Sequence, residues 1–224
     1  MPVRFKTQTG VNDMAIGLPT GYEPDATLPP GKTPRLLLHC CCAPCGGYVL
    51  EYLSPFFEIT VLFYNPNIHT LEEYNKRAAE LQKLTALAEY TNSVDIIISD
   101  YDSAEFETIA APYWDDAEGG RRCRVCFELR LDKTARSAKQ GGFDVFATTL
   151  SVSPHKNSAM LNEVGSILAE ESGVKYLSAD FKKQAGYMRS IELSKKYDLY
   201  RQRYCGCAPS TKRANAFGVP EDNA

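Results

Sequence analysis

No stretch of this chain approaches the roughly 20 consecutive apolar residues that a membrane-spanning helix needs, so a membrane-embedded protein is excluded. Glycine and proline, at 15 and 13 residues, are too sparse for a low-complexity protein. Residues 1–10 contain neither an apolar segment nor a small-residue cleavage site, so secretion is not expected and the cytoplasm is. No internal repeat is visible. What remains is a 224-residue chain, 44% hydrophobic and 24% charged, long enough to bury one sizeable core. Against that ordinary background stand eight cysteines. Disulfides are disfavoured in a reducing compartment, so clustered thiols there point to metal or redox chemistry.

The net charge of −3 conceals a division: residues 1–118 carry −10, residues 119–214 carry +9 and the last ten carry −2. A segment of +9 can supply a phosphate-binding face or be spread over solvated helix faces. Charge alone does not choose between the two.

Residues 1–33 hold Gly10, Gly17, Pro19, Gly21, Pro24, Pro29, Pro30 and Gly31 with little apolar periodicity, and read as an extended arm. A single α/β domain is expected over 34–214, followed by a flexible tail at 215–224. Strands are predicted at 35–39, 58–64, 95–99, 144–150 and 174–177, and helices at 46–53, 70–88, 103–111, 123–139, 157–171 and 187–197. Thr70 and Glu73 form a capping-box pattern; Leu71, Tyr74, Ala78, Leu81, Leu84, Leu87 and Ala88 follow at helical spacing. Apolar strands alternating with helices argue for a parallel sheet covered on both faces. Ligands of such sheets bind beyond the carboxyl ends of the strands, which puts the cysteine loop after His39 and the serine-rich loop after Leu150 on one rim.

The cysteines fall into three groups: Cys40, Cys41, Cys42 and Cys45; Cys123 and Cys126; Cys205 and Cys207. Cys42-Ala-Pro-Cys45 and Cys123-Arg-Val-Cys126 share the spacing that lets two sulfurs converge on one metal or cluster, and Gly206 allows Cys205 and Cys207 to bend together. Arg121, Arg122, Arg124, Arg201 and Arg203 crowd the later groups, and positive charge favours thiolate. A structural zinc site would use four thiolates and leave several surplus. A thioredoxin-like dithiol fits strand, Cys-Ala-Pro-Cys and helix, but leaves two groups unexplained. An iron–sulfur cluster with a second metal accounts for seven or eight thiols. Neither Cys-x-x-Cys is followed by His, so haem attachment fails. On oxidation such thiols can also pair into disulfides.

The ordered set of motifs resembles the cobalamin-independent epoxyqueuosine reductases of the QueH type. It runs from His39-x-Cys41-Cys42-x-Pro44-Cys45 through Phe63-Tyr64-Asn65-Pro66-Asn67-Ile68 to Arg122-Cys123-x-x-Cys126-Phe127-x-Leu129-Arg130-Leu131. Thr148-Thr149-Leu150-x-x-Ser153-Pro154-His155-Lys156, Phe181-Lys182-Lys183, Gly186-Tyr187, Ser194 and Tyr200-Arg201-Gln202-x-Tyr204-Cys205-Gly206-Cys207 complete it. The resemblance covers about 34–213. It implies a Rossmann-like three-layer fold of the adenine-nucleotide alpha-hydrolase kind, with the cysteine loop standing where ATP-using relatives carry a phosphate loop. It further implies a [4Fe-4S] cluster with an adjacent mononuclear metal, and reduction of epoxyqueuosine to queuosine at the tRNA wobble position. Cys40 stands where the family varies and is read as a bystander.

The implied reaction needs two electrons, two protons and loss of water, so a cofactor is required, and a neighbouring metal can stabilise the developing alkoxide. On this reading Cys42, Cys123, Cys126 and Cys205 hold the cluster, while Cys41, Cys45 and Cys207 hold the lone metal, iron rather than zinc. Asp180, Tyr187 and Tyr204 are candidates for proton delivery, against ordinary roles as a helix cap or packed rings. Ser151, Ser153, His155, Lys156 and Asn157 sit before a predicted helix, suited to phosphate or nucleoside contacts. Lys182, Lys183, Arg201, Arg203, Lys212 and Arg213 are expected along the tRNA backbone, with affinity falling steeply with salt. His39 is expected in the core or beside the cluster, His69 on the surface, and Trp114 packed or covering the site. The partners expected are tRNA and an external electron donor, acting on a monomer.

Overall fold

Three successive leucines, Leu36, Leu37 and Leu38, are all buried, which a strand achieves only where both faces of its sheet are covered. They lie in β1 (Arg35–His39). The computed structural model describes residues 31–216; most of the arm expected over 1–33 and of the tail expected over 215–224 lies outside them. Beside β1 stand β2 (Glu58–Phe63), β3 (Val94–Ile98), β4 (Val145–Thr148) and β5 (Lys175–Tyr176). The five strands run parallel in the order β3-β2-β1-β4-β5. The order reverses at β1, with β2 on one side and β4 on the other, and ligands bind at such a switch point.

Leu36 and Leu38 pack with Val49, Leu50, Ile59, Val61, Leu81 and Leu84 on one face. That face is covered by α1 (Ala43–Leu53), α2 (Leu71–Leu87) and α6 (Gly186–Lys196). Leu37 faces the other way, among Phe127, Leu131, Phe146, Leu161 and Val164. There the cover is α4 (Arg121–Gln140) and α5 (Ser158–Ser172). The short α3 (Ala104–Ala110) precedes α4, and α7 (Ala208–Ala216) ends the described chain. Each fully buried leucine contributes about 1.5–3 kcal/mol relative to exposure.

Several boundaries differ from those read in the sequence. α1 begins at Ala43 rather than 46, because Pro44 suits a first turn whose missing N–H would have no partner, and Cys42 becomes its N-cap. α2 buries Tyr74, Arg77, Ala78, Leu81 and Leu84, but Leu71 and Leu87 are more than half exposed at its ends. Thr70 Oγ1 accepts from Glu73 N at 3.2 Å; the Glu73 carboxylate does not return to the cap and instead binds Arg77. β4 stops at Thr148, where the Thr148 hydroxyl caps a 3-10 turn over Thr149–Val152. α7 was not read from the sequence.

Candidate functional site

Side chains alternate across a strand, and this parity continues past the end of β1. Leu36, Leu38 and Cys40 belong to one core cluster, while Leu37 and Cys41 meet the other. Cys40 is thereby buried in the core, its thiol donating to the Cys42 carbonyl at 3.3 Å, its pKa pushed up by burial. Cys41 points to the opposite side. With Cys42 at the α1 N-cap and Cys45 in its first turn, it forms a set whose Sγ atoms all lie within 4.8 Å of one another. Two thiolates on one tetrahedral ion, at a metal–sulfur length of about 2.3 Å, stand roughly 3.8 Å apart, so these three are close to the spacing of ligands to a single ion.

The other thiols arrive from two directions. α4 carries Cys123 and Cys126 on one face of its first turns, with Gly119 N donating to Cys123 Sγ at 3.2 Å. The loop before α7 brings Cys205 and Cys207 around Gly206, whose φ of +102° is open to glycine at little cost. His69 N donates to the Gly206 carbonyl at 2.7 Å and Arg77 Nη1 to the Cys205 carbonyl at 3.0 Å, tying the loop to the start of α2. Trp114 packs beside Cys126 and Cys207 with Phe106 and Ala110.

Electrostatics join the three groups. Hydrogen bonds from Cys41 and Cys45, aided by the Arg77 charge, hold the Cys42 thiol well below its ordinary pKa despite burial. Cys205 is lowered likewise, by a hydrogen bond from Cys207 and by Lys156 and Arg130. The donating thiols Cys41, Cys45 and Cys207 are raised in turn, and burial pushes Cys126 up to about 11. Burial opposes the charge on Lys156, but Cys205, Glu118 and Cys123 more than offset it. The same holds for Arg130 beside Cys126, Cys41 and Cys205. The form that ligates is the thiolate, and the surroundings of Cys42 and Cys205 favour it.

Beneath the thiols lies a fully packed polar network. Arg130 Nε donates to His39 Nε2 at 3.2 Å, its Nη2 to Asn65 Oδ1 at 2.5 Å and its Nη1 to Cys126 Sγ at 3.8 Å. His39 Nδ1 lies 2.9 Å from Thr148 Oγ1, and its Nε2 also lies 3.2 Å from the Tyr64 carbonyl. Burial and the Arg130 charge lower the His39 pKa to about 3, so this imidazole is neutral in the folded protein.

Above them opens a cavity of about 610 Å³, lined by Cys41, Cys42, Cys45 and Cys205 among others. Ser153, His155, Lys156, Tyr187, Arg201, Arg203 and Tyr204 also line it. Lys156 is buried and pairs with Glu118 at 2.7 Å. Arg201 lies over the Tyr187 ring at 5.4 Å and Arg77 over that of Tyr204 at 5.4 Å. Asp180, Lys182 and Lys183 are not among the lining residues: Asp180 is held by Lys182 at 2.8 Å and Lys183 at 3.9 Å, and Lys182 also donates to the Lys156 carbonyl. Asn157 caps α5, accepting from Met160 N, and Ser151 accepts from Phe181 N. His69 is exposed, as is Lys212; the Arg213 side chain lies outside the described residues. Arg121 and Arg124, expected near the thiols, instead pair with Asp116 and with Glu128 and Glu163.

Sequence reasoning passed over Arg77, Glu118 and the roles of Asn65 and Arg130. The available signal was the position of Arg130, one helical turn after Cys126. The site suits a thiolate-bound metal or iron–sulfur group: its donors are soft sulfurs. Asn67 Oδ1, Arg77 Nη2, Arg201 Nη1 and Gln202 Oε1, all on cavity residues, are buried without a hydrogen-bond partner among the described residues. Such orphaned atoms are uncommon in a finished interior.

The family model described as "Epoxyqueuosine reductase QueH" matches residues 36–213. A curated relative of that name from Streptococcus pyogenes serotype M1 is 48% identical over 181 residues, covering 80% of this chain and 71% of its own. One from Staphylococcus epidermidis is 41% identical, covering 79% and 76%. One from Dehalococcoides mccartyi is 37% identical, covering 85% of this chain and 99% of its own. Similarity of this extent, carried through all three cysteine groups, shows that the chain belongs to the epoxyqueuosine reductase QueH family.

Proposed function

We propose that this chain reduces epoxyqueuosine at the tRNA wobble position to queuosine, taking up two electrons and two protons and releasing the epoxide oxygen as water. The observation that carries the reading is a cavity at the sheet's switch point lined by thiols from two distant stretches, Cys41, Cys42 and Cys45 with Cys205, whose wall residue Arg130 reaches Cys126 of a third, in a chain the family matches over most of its length. Cys41, Cys42, Cys45, Cys123, Cys126, Cys205 and Cys207 are the donors that would hold a [4Fe-4S] cluster and a mononuclear metal. Placing Cys42, Cys123, Cys126 and Cys205 on the cluster and the other three on the metal is one partition. The mutual closeness of Cys41, Cys42 and Cys45 favours a second, in which those three share an ion. Bound there, such a centre supplies electrons one at a time, which no side chain does.

The chain's own residues bind, orient and deliver protons. Tyr204, its pKa raised by burial, keeps its hydroxyl proton at neutral pH and, with Tyr187, presents an O–H to the cavity. Arg201, Arg203, Ser153 and His155 receive the polar nucleoside and its phosphates. Lys182 and Lys183 extend the basic surface outward for the tRNA backbone, Asp180 holding their ammonium groups in place. A tRNA-modifying monomer in the cytoplasm, served by an external electron donor, completes the reading.

Anaerobic purification with iron and sulfide quantified, then reduced turnover on tRNA bearing the epoxide nucleoside, tests it. Iron and sulfide with conversion to queuosine are expected. Colourless protein holding zinc alone overturns it in favour of a zinc-stabilised RNA-binding module. Activity surviving Cys123→Ser would instead point to a dithiol oxidoreductase.

A further inference from the structure

Three cations on the cavity wall are buried to 8% exposure or less: Arg77, Arg130 and Lys156. Two have a carboxylate of their own, Glu73 at 2.7 Å from Arg77 and Glu118 at 2.7 Å from Lys156. Arg130, 1% exposed, has none among the described residues. A guanidinium does not give up its proton in a protein, so the charge cannot be relieved by titration. Burying an uncompensated ion consumes a large fraction of a domain's net stability.

Its surroundings show how the charge is held. The Nε–H points at His39 Nε2, a nitrogen that also lies 3.2 Å from the Tyr64 carbonyl, while Nδ1 stands 2.9 Å from Thr148 Oγ1. Nη2 is held by Asn65 Oδ1, and the Asn65 amide is itself pinned by donating to the Cys40 carbonyl at 3.0 Å. A neutral ring and a neutral amide thus flank the fork, and the remaining arm is aimed at Cys126 Sγ. The neighbours of this cation that can take up negative charge are sulfurs, Cys126 foremost.

We infer that Arg130 is the built-in counter-cation of the thiolate centre, a positioning residue that favours the centre's reduced state, with His39 and Asn65 as its clamp. The inference rests on the iron–sulfur reading above. Each electron taken up adds one negative charge to the centre, and a fixed positive charge nearby in a low-dielectric interior stabilises that state over the oxidised one. His39, embedded in the cysteine motif yet aimed away from any ligand role, is thereby accounted for.

The test is a mediated redox titration with dithionite as electron source, following the visible and paramagnetic-resonance signals of anaerobically prepared protein at matched iron and sulfide content. Arg130→Met is expected to shift the one-electron equilibrium at least tenfold against reduction, about 59 mV more negative for a single-electron couple. Arg130→Lys is expected to recover most of that shift. Asn65→Asp leaves the arginine in place and neutralises it, so it is expected to move the potential the same way even where the methionine variant fails to fold. An unmoved potential in a loaded Arg130→Met or Asn65→Asp protein overturns the inference, as does Arg130→Lys falling as far as Arg130→Met. Absence of iron and sulfide from the unaltered protein would overturn the functional reading itself, and this inference with it.

Discussion

Cys40 and Cys41 are neighbours in sequence and strangers in the fold. On one face of the central strand, Leu36, Leu38 and Cys40 build core, and a Cβ placed on Gly46 would stand 3.0 Å from the Cys40 sulfur. On the other, the series Leu37, His39, Cys41 passes from core to a neutral ring that holds Arg130 and then to a sulfur among the site's thiols. The same residue type is a small hydrophobe on one side and a candidate ligand on the other, and only strand parity separates them.

The largest expected effect breaks this comparison directly. Cys41→Ser should lower turnover more than 100-fold, roughly 2.7 kcal/mol of transition-state stabilisation or more, and reduce bound metal. Cys40→Ala should leave metal content unchanged and cost about 1 kcal/mol of stability through lost packing. Elemental analysis of the two purified variants, alongside turnover, checks the pair. Equal metal loss in both would show that parity does not sort them.

The second effect concerns acid. The folded His39 pKa is depressed to about 3 from an ordinary 6.5, so between these values the unfolded chain binds the extra proton and the folded one does not. Stability from this group is complete above about pH 6.5 and is lost as pH falls toward 3, by up to about 4 kcal/mol if no other group responds. Urea unfolding of reduced, metal-free protein at several pH values should show this slope, and His39→Gln should flatten it. A slope unchanged by the substitution would place the acid sensitivity elsewhere.

Much of the frame was legible because it is periodic. Apolar strands alternating with helices gave the parallel sheet, and the strand ends located the two loops that meet at the switch point. The cysteine groups were visible from spacing. Parity could have retired Cys40 by counting from Leu36, without any relative. What could not be read was partnership across the fold. Asp180 lies near the site in sequence, yet its carboxylate is engaged by Lys182 and Lys183. Arg77 and Arg130 are charged residues on helices, by default assigned to solvent, and nothing local reveals that each turns inward. Leu71 and Leu87 fit the helical stripe but lie at its ends, where the sheet no longer covers them.

A smaller effect tests how the third cysteine group is held. The φ of +102° at Gly206, and the Arg77 guanidinium 2.9 Å from where a Cβ would stand, oppose any side chain there. Gly206→Ala should cost roughly 1–3 kcal/mol and loosen Cys205 and Cys207 from Arg77, lowering metal retention during chelator challenge while Cys40→Ala retains it.

The smallest effect lies far from the thiols, on the other end of the α1–α6 contact. Arg189 meets both oxygens of Glu51 at 2.8–2.9 Å and also Glu192 at 2.8 Å, which joins α6 to α1, the helix that carries Cys45. Both ends of the pair are about two-fifths exposed, so water screens most of the attraction. Arg189→Ala should therefore cost no more than about 1 kcal/mol in thermal or urea unfolding, an effect that 1 M salt largely removes from the unaltered protein. Metal content and reduction potential should not move. A change in either would mean that the position of α6 is transmitted through α1 to Cys42 and Cys45, making the two ends of that helix one mechanical unit rather than a scaffold and a site.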